Sequence, residues 1–114
     1  MAEVVLTDEA LAWFDGLSEP EQEAVGKLLD ILELNGVGLG FPYSSAIKGS
    51  KYPLRELRKK GQPLRMFYAF DPARDAVVLL GGDKAGDDRF YEREVPRAER
   101  IWERYLAEKG YEER

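Results

Sequence analysis

Two apolar runs joined by a proline turn constrain this chain more than any other feature. Leu64–Phe70 reads LRMFYAF, rich in aromatics, and has strand character. Ala76–Leu80 reads AVVLL, nearly all apolar, as a strand at the centre of a sheet does. Asp71-Pro72-Ala73-Arg74-Asp75 lies between them, with proline at a favoured turn position. The pair predicts a central antiparallel hairpin, around which the rest of the chain must be arranged.

Residues 3–6, EVVL, predict a short strand. Thr7 can cap a first helix, with Asp8 and Glu9 in its first turn and Leu11, Phe14 and Leu17 on its apolar face. Ser18-Glu19-Pro20-Glu21 is a capping box. The second helix that it opens carries Val25, Leu28, Leu29 and Leu32 on one side and stops at Asn35-Gly36. Residues 37–53 predict a loop with one short edge segment near Ser45–Ile47. Leu54–Arg58 predicts a strand, with Leu54, Glu56 and Arg58 on one parity and Arg55 and Leu57 on the other. Lys59–Pro63 is a turn. Phe90–Glu94 reads as a last short strand or an irregular segment. Pro96 opens a C-terminal helix with Ala98, Ile101, Trp102, Tyr105 and Leu106 on one face, ended by Gly110. The expected architecture is α+β in one domain, residues 1–114. A helix hairpin packs on an antiparallel-centred sheet of four or five strands, a helix follows at the C-terminus, and the helices lie on one side. Trp13 and Trp102 fall on helical faces and are expected in the core.

The chain contains no histidine and no cysteine. That removes disulfides, thiolate chemistry, most zinc sites and every histidine-based triad. Any catalysis must use Lys, Arg, Tyr, Ser, Thr or carboxylates. There is no apolar run long enough to span a membrane. The start of the chain carries acids where a signal peptide needs bases, so a cytosolic location is expected. The net charge of −5 argues on its own against a polyanionic partner, but the charge is polarised. Residues 1–46 hold nine acids and one base, whereas Lys48 to Arg65 holds seven bases and Glu56 alone.

The turn GGDKAG, at the end of AVVLL, carries a lone Lys84. It is not a phosphate loop of the form Gly-x-x-x-x-Gly-Lys-Ser/Thr, because the lysine precedes the second glycine and no helix is expected after it. A solvated hairpin tip is the plain reading. The alternative is chemistry placed on a loop held by a rigid strand. The basic run has the same two readings: a solvated face, or a phosphate-tracking surface interleaved with Tyr43, Tyr52, Phe67 and Tyr68. Arg65 begins an otherwise apolar strand, so it is either paired with a carboxylate such as Glu56 or aimed into a cleft.

The pieces LGFP (39–42), IKGS (47–50), LRELR (54–58), GQPLRMFYAFDP (61–72) and LLGGDKAGDDRFYEREVPRAE (79–99) together resemble the RelE/HigB-like toxins of bacterial type II toxin–antitoxin systems. The resemblance covers about residues 3–108. It implies a small α+β fold and a metal-independent, cofactor-free ribonuclease that cuts mRNA, usually on the ribosome. It also implies a cognate antitoxin as partner, commonly a helix-turn-helix DNA-binding protein. The residues it places in catalysis are Arg65, Arg58, Lys84 and Tyr91. Arg55, Arg89 and Arg93 are neighbours, and Lys48, Lys51, Lys59 and Lys60 join them as RNA-binding residues. Two features depart from the family: the absence of histidine near the site and the acidic overall charge.

Metal-free RNA cleavage needs a base for the ribose 2′-OH, cations for the phosphate and an acid for the leaving oxygen. Arg65 and Arg58 suit the phosphate. Free Lys and Tyr have pKa values near 10, and a surrounding cluster of arginines is expected to lower both, which would prime Lys84 and Tyr91. Two rival readings are a ParE-like toxin that acts on DNA gyrase without cleaving RNA, and a non-catalytic binding module.

Overall fold

The structure, a computed structural model, describes residues 2–111. A five-stranded sheet is ordered β1-β5-β4-β3-β2. Its strands are β1 (Val4–Leu6), β2 (Ser44–Ala46), β3 (Arg55–Leu57), β4 (Leu64–Phe70) and β5 (Ala76–Asp83). β1 pairs with β5 in parallel and the other pairings are antiparallel. The helices are α1 (Asp8–Asp15), α2 (Glu19–Asn35) and α3 (Phe90–Glu108). The predicted α+β architecture, with its helix hairpin, antiparallel-centred sheet and C-terminal helix, is the one observed. No helix among the described residues is long and apolar enough to cross a membrane.

The helices are not all on one side. α1 and α2 pack Ala10, Val25, Leu28 and Leu32 against Leu57, Leu64, Met66, Tyr68 and Val78 on one face of the sheet. α3 packs Phe90, Ala98, Ile101 and Trp102 against Leu54, Phe67, Ala69, Val77 and Leu79 on the other. The reason lies in the two central runs. LRMFYAF and AVVLL are apolar on both parities, so each face must be removed from water.

A bulge sets the local geometry. Phe67 pairs with Leu80 and Tyr68 with Val78, which leaves Leu79 as the extra residue on β5. Leu79 and Leu80 therefore both lie in the core under α3. The Leu79 carbonyl accepts from the Thr7 hydroxyl at 2.8 Å, and the same hydroxyl takes the Ala10 N–H at 3.2 Å to cap α1. α1 is thereby fixed to the bulge. It presents Ala10, Trp13 and Phe14 inward and leaves Leu11 exposed, contrary to its predicted face. The capping box of α2 is formed as predicted: Ser18 Oγ accepts from Glu21 N, and Glu21 Oε1 accepts from Ser18 N.

β5 does not end before its glycines. It runs through Gly81 and Gly82, opposite Met66 and Arg65. A Cβ on Gly81 would stand 2.2 Å from the Trp13 ring, and one on Gly82 would stand 2.7 Å from the Phe90 ring. The two glycines let one ring from each helical layer lie against the strand. This also explains the early start of α3. Phe90 is buried against Gly82 and Phe67, so the helix begins there, six residues before the predicted proline. Pro96 is inside the helix, where it costs a backbone hydrogen bond and roughly 3 kcal/mol of helix propensity. Burial of Phe90, Ala98, Ile101 and Trp102 offsets that cost.

Candidate functional site

The central residue of the site is Glu56, in the middle of β3. It pairs with Ser45 of β2 and Phe67 of β4. On a strand, alternate residues share a face, so Glu56 and Arg58 project together. Arg65 enters from β4, and Tyr91 arrives from the first turn of α3. The Tyr91 hydroxyl donates to Glu56 Oε1. Arg65 Nε lies 3.5 Å from the same oxygen, and Arg58 Nη1 lies 3.6 Å from Oε2. One carboxylate is thus shared by two guanidiniums and a phenol.

Each member is held from behind. Arg58 Nη1 donates to Ser45 Oγ at 2.6 Å. Arg65 Nη1 donates to the carbonyls of Gln62 and Leu64, the latter at 3.0 Å. Its side chain is 12% exposed, and its Nε is buried with no hydrogen-bond acceptor among the described residues. The Tyr91 ring stacks on Phe67, with centroids 5.8 Å apart, and meets Phe90 edge-on at 5.3 Å. Tyr91 is nevertheless 37% exposed. A groove of about 290 Å³ opens beside it, lined by Lys48, Gly49, Tyr91, Glu92, Val95 and Pro96. The loop carrying Lys48 is tied to α3 by Glu99, which accepts from Ser50 Oγ at 2.8 Å and from Lys51 N at 2.9 Å.

The electrostatics correct the expected priming of Tyr91. Burial pushes its pKa up to about 12, and the hydrogen bond to the Glu56 carboxylate and that carboxylate's charge push the same way. Arg65 opposes them and loses. Tyr91 is a proton donor at neutral pH.

The predicted residues fall into three groups. Arg58, Arg65 and Tyr91 come together around Glu56, and Lys48 borders the adjoining groove. Lys84 follows β5 directly, its N–H bonded to Pro63 O at 3.1 Å, next to the end of β4 where Arg65 stands. Its ammonium makes no ion pair among the described residues and does not join the cluster directly. The rest lie elsewhere. Arg93 is not a neighbour of Tyr91's hydroxyl; it is bound to Asp87 at 2.6 Å and to Glu94 at 2.8 Å, and both carboxylates raise its pKa. Arg89 sits in an exposed pair with Glu92. Lys51 pairs with Glu103 at 3.2 Å. Lys59 and Lys60 are exposed in the turn. Arg55 projects to the opposite face, where its Nε donates to Ser44 Oγ at 3.0 Å. Glu56 was visible in the sequence only as a possible partner of Arg65. Its shared parity with Arg58 was the signal for more. Among the described residues no group of acids could hold a metal ion.

This fold and site have counterparts. The family model of the phage-derived Gp49-like proteins (DUF891) matches residues 12–103. A putative toxin, HigB3, of Mycobacterium tuberculosis (strain ATCC 25618 / H37Rv) is 39% identical over 106 residues, covering 91% of this chain and 93% of that protein. Putative toxin HigB2 of the same organism is 34% identical over 102 residues, 85% of this chain but only about half (51%) of that protein. Among solved structures, a doubly mutated Escherichia coli toxin RelE in the free state superposes with a TM-score of 0.59 at 15% identity, covering 81% of this chain and 94% of that one. A copper-bound mutant toxin from Helicobacter pylori gives 0.51 at 21% identity, with 76% and 99% covered. These two share the fold. The chain belongs to the Gp49-like family and to the HigB-type toxins of toxin–antitoxin modules, and it has the RelE-like fold.

Proposed function

We propose that this toxin is a metal-independent mRNA endoribonuclease that acts in the cytoplasm on ribosome-bound message, inhibits translation, and is neutralised by a cognate helix-turn-helix antitoxin. One observation carries the reading: a single largely buried carboxylate, Glu56, held between Arg58, Arg65 and the partly exposed Tyr91. In-line attack of a ribose 2′-OH needs a proton acceptor next to paired cations. Among the clustered side chains Glu56 is the carboxylate acceptor; Tyr91 holds Oε1, and Oε2 takes the proton as Arg58, 3.6 Å away, turns to the phosphate. Glu56 is therefore assigned as general base in place of Tyr91 or Lys84. Arg58 and Arg65 fork onto the non-bridging phosphate oxygens and stabilise the charge that develops there. The Tyr91 hydroxyl, protonated throughout the physiological range, donates to the phosphate or orients Glu56. Lys84 protonates the departing 5′-oxygen. The 2′-oxygen bonds to phosphorus as the P–O5′ bond breaks, leaving a 2′,3′-cyclic phosphate and a 5′-hydroxyl; Glu56 then gives its proton to solvent and Lys84 regains one from it.

The test is incubation of purified wild-type chain with ribosomes carrying a defined mRNA, read by primer extension. Discrete cuts with 2′,3′-cyclic ends are expected, and an antitoxin partner should suppress them. Intact mRNA together with inhibited gyrase supercoiling would move the assignment to a ParE-like action. Intact mRNA with no effect on gyrase would leave a binding module.

A further inference from the structure

Phe41 is the most exposed of the large hydrophobic side chains described, at 85%. It is carried on a turn closed by Tyr43 N and Ser44 N, which both donate to Gly40 O, at 3.1 and 3.0 Å. The same turn is bonded to the site, because Arg58 N donates to Tyr43 O at 2.8 Å. The Arg58 guanidinium carbon lies 5.9 Å from the Phe41 ring centroid. That guanidinium cannot swing freely, since Ser45 Oγ and Glu56 hold it. The result is a phenyl ring set beside a fixed cation, next to the carboxylate of the candidate site.

We infer that Phe41 and Arg58 form a stacking subsite for one unpaired nucleobase flanking the phosphate held at Glu56, Arg58 and Arg65. The inference rests on the RNA reading above and deepens it. An exposed ring loses solvation cost only when something flat or apolar covers it. A nucleobase fits, because every base has a π-face, and an adjacent guanidinium supports the stack and the neighbouring phosphate. RNA cleaved within single-stranded message has splayed bases in need of such platforms. Tyr91, half-exposed and backed by Phe67, is a second ring on the far side of Glu56. The two rings would bracket the reacting phosphate. A protein partner at Phe41 is the competing occupant. The cation at the ring and the direct continuity with Glu56 favour the base.

The experiment uses a fluorescently labelled 2′-O-methyl oligoadenylate decamer with one central 2-aminopurine, which has no free 2′-OH and cannot be cut. Binding is followed by anisotropy and stacking by quenching of 2-aminopurine. Wild type and Phe41→Trp should bind and quench. Phe41→Ala and Phe41→Leu should bind about 5- to 150-fold more weakly, with quenching lost. The slope of affinity against salt should be unchanged in both, because no charge is removed. Circular dichroism confirms the fold of each variant. Wild-type affinity in Phe41→Ala and Phe41→Leu overturns the subsite and assigns Phe41 to a protein contact. No binding by wild type overturns the subsite, whereas the RNA reading falls only if ribosome-bound mRNA also stays uncut. Binding with the predicted Phe41 dependence but uncut ribosomal mRNA overturns the nuclease reading alone, and the subsite stands.

Discussion

Around β3, each face of the sheet gathers an arginine, a tyrosine and a serine hydroxyl, and the two faces use them differently. On the hairpin face, Arg55 donates to Ser44, and the Ser44 hydroxyl is bonded to the Tyr68 hydroxyl. Tyr68 is fully buried, at 0% exposure, under α2. The Ser44 and Tyr68 hydroxyls are buried and bonded to each other, and Arg55 is tied to them through Nε. On the α3 face, Arg58 and Arg65 meet Glu56 and Tyr91, but here Arg65 Nε has an ion-pair contact with Glu56 and no hydrogen bond, and the tyrosine reaches solvent beside a groove. The same residue types thus make a sealed pair of hydroxyls on one face and, on the other, a cluster around a shared carboxylate whose tyrosine meets solvent. The exposure of the tyrosine and the carboxylate it shares separate the two roles, not residue identity.

The largest expected effect belongs to the sealed face. Tyr68→Ala should cost about 3–5 kcal/mol and leave little folded protein, whereas Tyr91→Ala forfeits mainly its stack on Phe67, about 0.5–1.5 kcal/mol. Chemical denaturation of both checks this; equal losses would erase the contrast. Next, Arg65→Ala should slow mRNA cleavage by about 10²- to 10³-fold, as loss of one preorganised charge does. A single-turnover rate on programmed ribosomes reads it, and a rate within twofold of wild type would remove Arg65 from the chemistry. Gly81→Ala and Gly82→Ala each drive a methyl into a ring and should cost about 1–3 kcal/mol. They differ in side: only Gly82→Ala displaces Phe90, Tyr91's neighbour, so only it should lower cleavage beyond what the lost folded fraction explains.

The smallest effect is in pH. Tyr91 has a folded pKa of about 12, above its ordinary 10, so the folded state favours the protonated phenol. Its contribution is fully present below pH 10 and fades as the pH rises from about 10 to about 12. The stability gap between wild type and Tyr91→Phe should therefore narrow across that window and stay constant from pH 7 to 9. A gap that widened above pH 10 would reverse the sign.

The central hairpin, the capping box and the order of elements were legible because each rests on local pattern: LRMFYAF, AVVLL and Ser18–Glu21. The two-sided cover was also legible in principle, since runs apolar on both parities cannot face water. The start of α3 was not. Pro96 is a strong local signal for a helix opening, and it was overridden by burial of Phe90 in the space that Gly82 leaves, a contact across the fold. The cation set was legible in part. Arg65 was singled out by its position and Arg58 by the resemblance, but which bases are already neutralised depends on acids brought near by folding. Asp87 and Glu94 hold Arg93, and Glu103 holds Lys51. Tyr91's proton affinity turned on its burial and then on Glu56, both set by the fold.

The central claim is that Glu56, and not its neighbour Arg55, faces the reaction. It is tested most directly by single-turnover cleavage of ribosome-bound mRNA with Glu56→Gln and Arg55→Ala side by side. The account predicts a loss of about 10²- to 10⁴-fold for Glu56→Gln, the range for a general base, with the protein still folded. Arg55→Ala should cut at the wild-type rate despite losing about 1 kcal/mol of stability with its bond to Ser44. Wild-type cleavage by Glu56→Gln, or a collapse of cleavage in folded Arg55→Ala, would contradict it.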